Sequence, residues 1–249
     1  MAHSRGVTLM GKQLRQQRRG KGSSTFEAKH KGIEAAYAAI DERQRNDKAR
    51  AQIVDLLKES GRSSILALLR LEDGSTGYVI AAEGVSVGQD IELGKNASVD
   101  VGNVLPLASV PEGCPVFNIE ALPGDGGKMV KGSGVYALLV NKDKKGVQVK
   151  LPSGKIRVFK LESRATVGCS AGGGRKEKPR LKAGTSFHFM AARSRHYPGL
   201  RGVAMNALDH PFGGSQHHPG KSKSTSKNAP PGRKVGSIAS KRTGRRKKN

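Results

Sequence analysis

Apolar residues are unevenly distributed along this chain of 249 residues. Residues 11–25 (GKQLRQQRRGKGSST) have almost no apolar content and cannot bury a core of their own. From Ala28 to Glu59 helix-forming residues dominate, and local propensity predicts a helix. Beyond that point short apolar runs take over: Ile65–Leu71, Tyr78–Ala82, Ile91–Leu93, Val99–Val101, Val116–Ile119, Val135–Val140, Gly146–Leu151 and Ile156–Leu161. Turn residues separate them at Glu72-Asp73-Gly74-Ser75, Glu83-Gly84, Asn141–Gly146 and Pro152-Ser153-Gly154, the last two as hairpin connections. Many short strands at regular spacing predict small antiparallel barrels rather than alternating strand–helix units. After Arg164 the pattern dissolves into Gly, Pro, Ser and His, a composition expected to be disordered by itself.

Composition sharpens this picture. Hydrophobic residues make up 35%, aromatics 4%, and the formal net charge is +25. The charge is segregated. Residues 1–50 hold 12 basic and 5 acidic side chains, 51–125 hold 4 and 11, and 126–249 hold 29 and 4. An acidic, apolar middle between two basic arms points to a polyanionic partner, without which such charge opposes the compact state. A membrane surface would favour an amphipathic helix, which neither arm shows, so nucleic acid is the expected partner. No apolar run approaches the ~18 residues of a membrane span, and no signal-peptide core follows Met1. Cys114 and Cys169 stand far apart, which fits a reducing compartment and excludes a disulfide scaffold.

Three motifs invite other chemistry. Gly168-Cys169-Ser170-Ala171-Gly172 matches the G-x-S-x-G nucleophile elbow, but Gly173-Gly174-Arg175 is a poor start for the helix that motif requires. An esterase built on Ser170 is therefore disfavoured. Gly124-Asp125-Gly126-Gly127-Lys128 resembles a phosphate loop but has Leu122 and Met129 where a Walker loop needs Gly and Ser or Thr. Its glycines can still present backbone N–H groups to a phosphate. His188, His196, His210, His217 and His218 lie far in sequence from either cysteine, so no metal is expected. Imidazole also binds phosphates and stacks on bases.

The basic stretches form a more coherent set. Residues 172–182 (GGGRKEKPRLK) join backbone freedom to five cations, and Arg193, Arg195, His196, Tyr197 and Arg201 mix guanidinium groups with rings. Arg233-Lys234, Lys241-Arg242 and Arg245–Lys248 close the chain. Guanidinium groups pair with phosphates in a bidentate fashion, and interruption by Gly, Pro, His and Asn suggests specific contacts rather than a solvated tail.

Residues 201–214 (RGVAMNALDHPFGG) and 230–245 (PPGRKVGSIASKRTGR) closely resemble the universal large-subunit ribosomal protein two family, number eight in eukaryotes. Residues 17–26 (QRRGKGSSTF), 111–134 (PEGCPVFNIEALPGDGGKMVKGSG), 151–158 (LPSGKIRV) and 165–179 (ATVGCSAGGGRKEKP) match it in order. DHPFGG, where bacterial members read DHPHGG, and residues 216–224 (QHHPGKSKS) resemble archaeal members; Ala207 and Ser215 depart from the common pattern, which has proline and a third glycine. The resemblance implies a mainly β fold: a basic extension over 1–36, an OB-like barrel over 37–110, an SH3-like barrel over 111–180 and a basic extension over 181–249. It also implies that Ala51–Leu57 is a barrel strand, against local helix propensity, and leaves 28–48 open. The implied function is structural: primary binding of large-subunit rRNA, support of assembly, subunit association and the peptidyl transferase region, and no catalysis by the protein itself. Neighbouring ribosomal proteins, contact with the small subunit and a cytoplasmic location follow, with no cofactor and no membrane.

The residues expected to contact rRNA are Arg15, Arg18, Arg19, Lys21, Lys128, Arg175, Lys176, Lys178, Arg180, Lys182, Arg193, Arg195, Arg201, Asn206, His210, Arg233, Lys234, Lys241, Arg242 and Arg245. Asp209, His210 and Pro211 match the loop that the family extends towards the peptidyl transferase region. A transiently bound translation factor or RNA chaperone is the alternative.

Overall fold

The computed structural model describes residues 12–27, 32–39, 41–214, 217–242 and 244. Helices α1 (Arg15–Gly20) and α2 (Glu42–Asn46) precede ten strands. These are β1 (Lys48–Lys58), β2 (Ile65–Leu71), β3 (Thr76–Ile80), β4 (Asp90–Gly94), β5 (Val104–Pro106), β6 (Pro115–Phe117), β7 (Ala137–Asp143), β8 (Gly146–Lys150), β9 (Ile156–Phe159) and β10 (Arg164–Val167). Helix α3 (Ala183–Ala191), a 3₁₀ turn (Gly202–Ala204) and the two-residue strands β11 (Ser224–Thr225) and β12 (Ser237–Ile238) follow. The chain divides into two compact units, His30–Lys182 and the pair of segments Met1–Lys29 and Ala183–Asn249.

In the first unit all ten strands share one sheet in the order β3-β2-β1-β4-β5-β10-β6-β7-β8-β9. Every pairing is antiparallel except β4 with β5, which meet in parallel at Leu93 and Val104. The fold is mainly β, an OB-like half followed by an SH3-like half. Each half has its own core. Ile53, Leu69, Ile91 and Leu93 lie in the first, and Leu107, Val116, Leu139, Val147 and Phe159 lie in the second. Fully burying one such side chain contributes about 1.5–3 kcal/mol.

Local propensity misjudged the segment before the barrel. Among the described residues of 28–59 only Glu42–Asn46 is helical, and 48–58 form β1. The two-residue period decides: Ala49, Ala51 and Ile53 point inward while Lys48, Arg50 and Gln52 face out, a pattern a helix would smear around its circumference. β1 then pairs on both sides, with β2 and β4, with a bulge between Ile53 and Asp55 on the β2 side. The turns at 141–146 and 152–154 connect hairpins as expected, and the turn at 72–75 likewise joins β2 to β3. Val99–Val101, expected as a strand, is an exposed bend. The Asn103 amide donates to Ser98 O and Oγ, and its carbonyl accepts from the Glu92 N–H, so this side chain holds the loop where a ladder would.

β10 escaped the sequence pattern altogether, yet it joins β5 to β6 and hence the two halves. All four of its residues are buried. Ala165 and Val167 fill the SH3-like core, while Arg164 and Thr166 belong to a polar network. Arg164 donates from Nε and Nη2 to Glu120 Oε1 at 3.0 and 2.7 Å, and its backbone N–H reaches Glu120 Oε2 at 2.9 Å. Its Nη1 donates to Ala38 O and Gln44 Oε1, and the guanidinium lies 5.2 Å from the Tyr37 ring centre. Tyr37 and Thr166 share a hydroxyl hydrogen bond of 2.6 Å, and burial pushes the Tyr37 hydroxyl well above its ordinary pKa.

The second unit has a small core of its own. Leu14, just before α1, is buried with Phe212 and Val235, and Val203 packs against them. Thr225 Oγ1 donates to Val235 O at 2.7 Å beside the β11–β12 pairing. Gly236, at φ +79°, is obligatory here because a side chain would meet Lys223 O and the Phe212 ring. Composition alone missed this cluster, which needs only four apolar residues drawn from both ends of the chain.

Removing one partner of a buried ion pair strands the other. Arg164→Met is expected to destabilise the full chain by about 3–5 kcal/mol in urea unfolding. Glu120→Leu combined with Arg164→Met should cost less than the two single changes together. A second test concerns Glu92, which accepts from Lys48 Nζ at 2.6 Å and from the Ser98 N–H at 2.8 Å. Lys48 above all, then Ser98, lowers its carboxyl from the ordinary 4.5 to about 2. A lowered folded pKa means stabilisation that is present above the unfolded value and lost as pH falls through the folded one. Glu92→Gln should therefore unfold at a lower temperature than the parent at pH 7, with the gap closing as pH falls from 4.5 towards 2.

Candidate nucleic-acid interface

Burial of Leu14 anchors α1 to the second unit and leaves Arg18, Arg19 and, just beyond the helix, Lys21 exposed; Arg15 is half-buried. The Arg19 guanidinium sits 5.8 Å from the centre of the Phe26 ring. Phe212 and Val235, in the same core, anchor the segments that carry Arg201, Asn206, Asp209, His210, Pro211, Arg233 and Lys234. One apolar cluster thus gathers three cation-bearing stretches distant in sequence. Arg201, Asn206, Lys234, Lys241 and Arg242 are exposed, and Arg245 lies outside the described residues.

The 201–214 loop is tightly constructed. Asn206 O accepts the N–H groups of Asp209 and His210, and His210 O accepts that of Gly213. The His210 ring packs on Gly202, where a side chain would collide with it, and lies 5.4 Å from the Phe212 ring. His210 Nδ1 accepts the Phe212 N–H at 3.0 Å, so the neutral ring carries its proton on Nε2. Burial lowers its pKa, which keeps it neutral at physiological pH. Asp209 lies 3.9 Å from Lys12 Nζ.

In the first unit Arg175, Lys176, Lys178, Arg180 and Lys182 form a continuous exposed stretch, with Arg175 Nε donating to Ser133 Oγ at 3.3 Å. Lys128 is exposed at the edge of its glycine loop. Arg193, two residues past α3, packs back on that helix: its guanidinium lies 3.7 Å from the centre of the Phe189 ring and Nη1 donates to Phe189 O. Arg195, two residues on, is exposed. Such a surface can neutralise phosphates and form bidentate bonds with them.

The tempting motifs have internal explanations. Ser170 is wholly buried; its hydroxyl bonds to Gly132 O and to Val135 O, and it accepts the Val135 N–H. It ties the 132–135 loop to the strand end and carries no exposed nucleophile. The Gly124–Lys128 loop turns its donors inward: the N–H groups of Gly124 and Gly126 bond to the Glu120 carboxylate and that of Gly127 to Asp125. The expectation that these amides serve a phosphate is therefore corrected, since two buried or half-buried carboxylates already occupy them. His218 Nδ1 accepts the Gly220 N–H, and among the described residues no three His, Cys, Asp or Glu side chains gather as metal ligands. No helix among the described residues is long and apolar enough to cross a membrane.

Sequence reasoning missed Leu14 and Lys12 as parts of this unit. An isolated leucine in a basic arm gives no periodic signal, and only the fold supplies Phe212 and Val235 as its partners.

Comparison with known proteins accords with this arrangement. The family model described as Ribosomal Proteins L2, RNA binding N-terminal domain, matches residues 7–93, and Ribosomal Proteins L2, C-terminal domain, matches 100–234. The chain is 51% identical over 243 residues to large ribosomal subunit protein uL2 of Methanocaldococcus jannaschii, covering 96% of this chain and 100% of the relative. It is 49% identical over 239 residues to the protein of that name from Haloarcula marismortui, covering 95% and 98%. For the Methanosphaera stadtmanae protein the identity is 46% over 241 residues, covering 96% and 100%.

Ser170→Ala is expected to lower stability by about 1–3 kcal/mol, the cost of leaving buried partners unsatisfied. Affinity for nucleic acid, measured on the folded variant, should not change.

Proposed function

The chain belongs to the ribosomal protein L2 family, and from that premise we propose how its two units serve the large ribosomal subunit. It is a structural, rRNA-binding component of that subunit and acts in the cytoplasm, within the ribosome. Its partners are rRNA and other ribosomal proteins. In our reading the barrels over 37–110 and 111–180 dock on rRNA helices through Lys128 and the exposed stretch from Arg175 to Lys182. The extensions over 1–36 and 181–249 neutralise phosphates in the crevices between helices, using Arg15, Arg18, Arg19 and Lys21 at one end. Arg195, Arg201, Lys234, Lys241, Arg242 and Arg245 act at the other, where Asn206 and Arg233 also contact rRNA. Arg193 contributes chiefly by ordering the end of α3.

The observation that carries this reading is the coincidence of family match and charge: residues 164–249 hold 20 basic and 2 acidic side chains, and the matched C-terminal region takes in 164–234 of them. Loop 209–211 supports the peptidyl transferase region by shape and hydrogen bonding, with the His210 Nε2–H as its available donor. In this reading the protein is not an enzyme, which the packing of His210 among Gly202, Phe212 and backbone supports. Contact with the small subunit belongs to the same reading.

A sucrose gradient of cell lysate, run before and after a high-salt wash, separates an integral subunit protein from a transient factor. Purely phosphate-mediated binding falls by roughly 10³–10⁵ over a modest rise in salt, on the calibration of duplex DNA. One copy per large subunit is expected to survive the wash, whereas recovery in the top fractions would favour the transient factor. Deletion of residues 200–249 should abolish stable incorporation. It removes Phe212 and Val235 as well as the terminal cations, so α1 loses its anchor too.

A further inference from the structure

The two edges of the ten-stranded sheet are treated differently. At the β3 edge Ala35 pairs with Tyr78 in parallel, and the Ala36 N–H donates to Tyr78 O at 3.0 Å, so the chain covers that edge itself. β9 ends the order on the other side and pairs with β8 alone. Its hairpin closes on Leu151 and Lys155: the Leu151 N–H donates to Lys155 O at 2.9 Å, and Leu151 O accepts the Gly154 N–H at 2.8 Å. From there hydrogen-bonded and non-hydrogen-bonded pairs alternate along an antiparallel ladder. Arg157 and Phe159, opposite Val149 and Val147, therefore direct their backbone groups to β8. Ile156 and Val158, opposite Lys150 and Gln148, turn theirs outward, and no described residue bonds to them.

The side chains at this edge are apolar as well. Ile156 and Val158 are 57% and 58% exposed, and on β7, beyond Lys150 and Gln148, stand Leu138 and Val140 at 36% and 44%. Ala137 and Leu139 alternate with these last two and are buried, so β7 is apolar on both faces. The outer face of an antiparallel sheet is ordinarily polar. Tyr136, Leu138, Lys150, Leu151 and Pro152 line a groove of about 280 Å³ beside it. Charge frames the patch: residues 141–162 hold seven basic and two acidic side chains, and Lys144, Lys145, Lys155 and Lys160 are exposed.

An occupant must supply donors and acceptors in alternation, apolar groups beside them and negative charge around them. RNA fails the first condition. Its phosphates present acceptors, which the outward C=O groups of Ile156 and Val158 would oppose, and the four aliphatic side chains offer no ring for a base to stack on. A second copy of this chain, paired edge to edge, would set one cationic rim against another. An extended acidic segment of another protein meets all three conditions.

We propose that the β9 edge is completed by one extended, acidic segment of a neighbouring protein in the large subunit. It adds a strand beside Ile156 and Val158, sets apolar side chains against theirs and turns carboxylates to Lys155 and Lys160. The proposal rests on the reading of the chain as a component of that subunit. An edge this short makes a weak contact alone, which strengthens where shared rRNA already holds both proteins in place.

The test follows amide hydrogen exchange in the full-length chain in three states: free, bound to protein-free large-subunit rRNA, and within intact large subunits. The Ile156 and Val158 amides should exchange freely in the first two, with Arg157 and Phe159 slower throughout, and should slow by roughly tenfold or more in the third. A photo-crosslinking side chain in place of Ile156 should then join the chain in those subunits to an extended segment of another protein, richer in Asp and Glu than in Lys and Arg. Val158→Pro removes an outward N–H without taking a bond from β8, and Val158→Glu sets a carboxylate at the edge. Each should abolish the protection of Ile156 in subunits and leave rRNA affinity unchanged. Slow exchange already in the rRNA complex, or a crosslink to RNA, would overturn the proposal in favour of a nucleic-acid contact. Protection that rises with concentration of the free chain would overturn it in favour of a second copy. Free exchange in intact subunits, or a crosslink to a basic segment, would leave the edge without the proposed strand and sink the idea. Absence of the chain from large subunits would overturn the ribosomal reading itself, and the proposal with it.

Discussion

Glu120 is wholly buried and Arg164 nearly so, and a carboxylate and a guanidinium withdrawn from water cost several kcal/mol each before their attraction is counted. The pair persists because its own polar atoms all have partners. Both carboxylate oxygens accept two or more donors, from Arg164 and from the glycine amides at 124 and 126. The guanidinium in turn reaches Ala38 O and Gln44. Through these bonds one ion pair connects the chain entering the OB-like half, the strand shared by both halves and the glycine loop of the SH3-like half. Hydrophobic burial supplies most of the stability of each core. The ion pair determines how the cores are joined.

The second unit solves a different problem. Its segments are strongly cationic and contain too few apolar residues for an ordinary core, so repulsion should keep them apart. Three buried side chains and a two-residue parallel pairing are the described apolar and ladder contacts that set against it. A cluster of that size contributes only a small stabilisation, and the remaining compensation comes from phosphates once RNA is bound. Economy of core and excess of charge are thus two aspects of one design: the segments hold a shape and leave almost every cation outside.

The motifs that suggested enzymology show how context decides chemistry. Ser170 in G-x-S-x-G and the glycines of the 124–128 loop have residue types suited to catalysis or phosphate binding. In each case a backbone carbonyl or a neighbouring carboxylate has consumed the reactive group. Glycine at these positions serves turns and close approach, as where Gly134 passes so near Gly173 that a side chain on it would strike the opposing backbone.

Most strands from Ile65 to Phe159, β5 excepted, were legible in the sequence because apolar runs and turn residues act locally, and neighbouring strands follow one another in hairpins. The basic arms, the polyanionic partner and the family resemblance were equally legible, since charge density and long motifs need no fold to be read. β1 was ambiguous, because alanine, leucine and lysine suit a helix by propensity and a strand by period. β10 was invisible: Arg164 and Thr166 read as polar surface until Glu120, 44 residues away, and Tyr37, 129 residues from Thr166, provide their partners. Sequence by itself determined the kind of fold and the kind of partner. Tertiary structure alone decided which polar groups are buried and paired and which remain free to meet RNA, because that depends on neighbours distant along the chain.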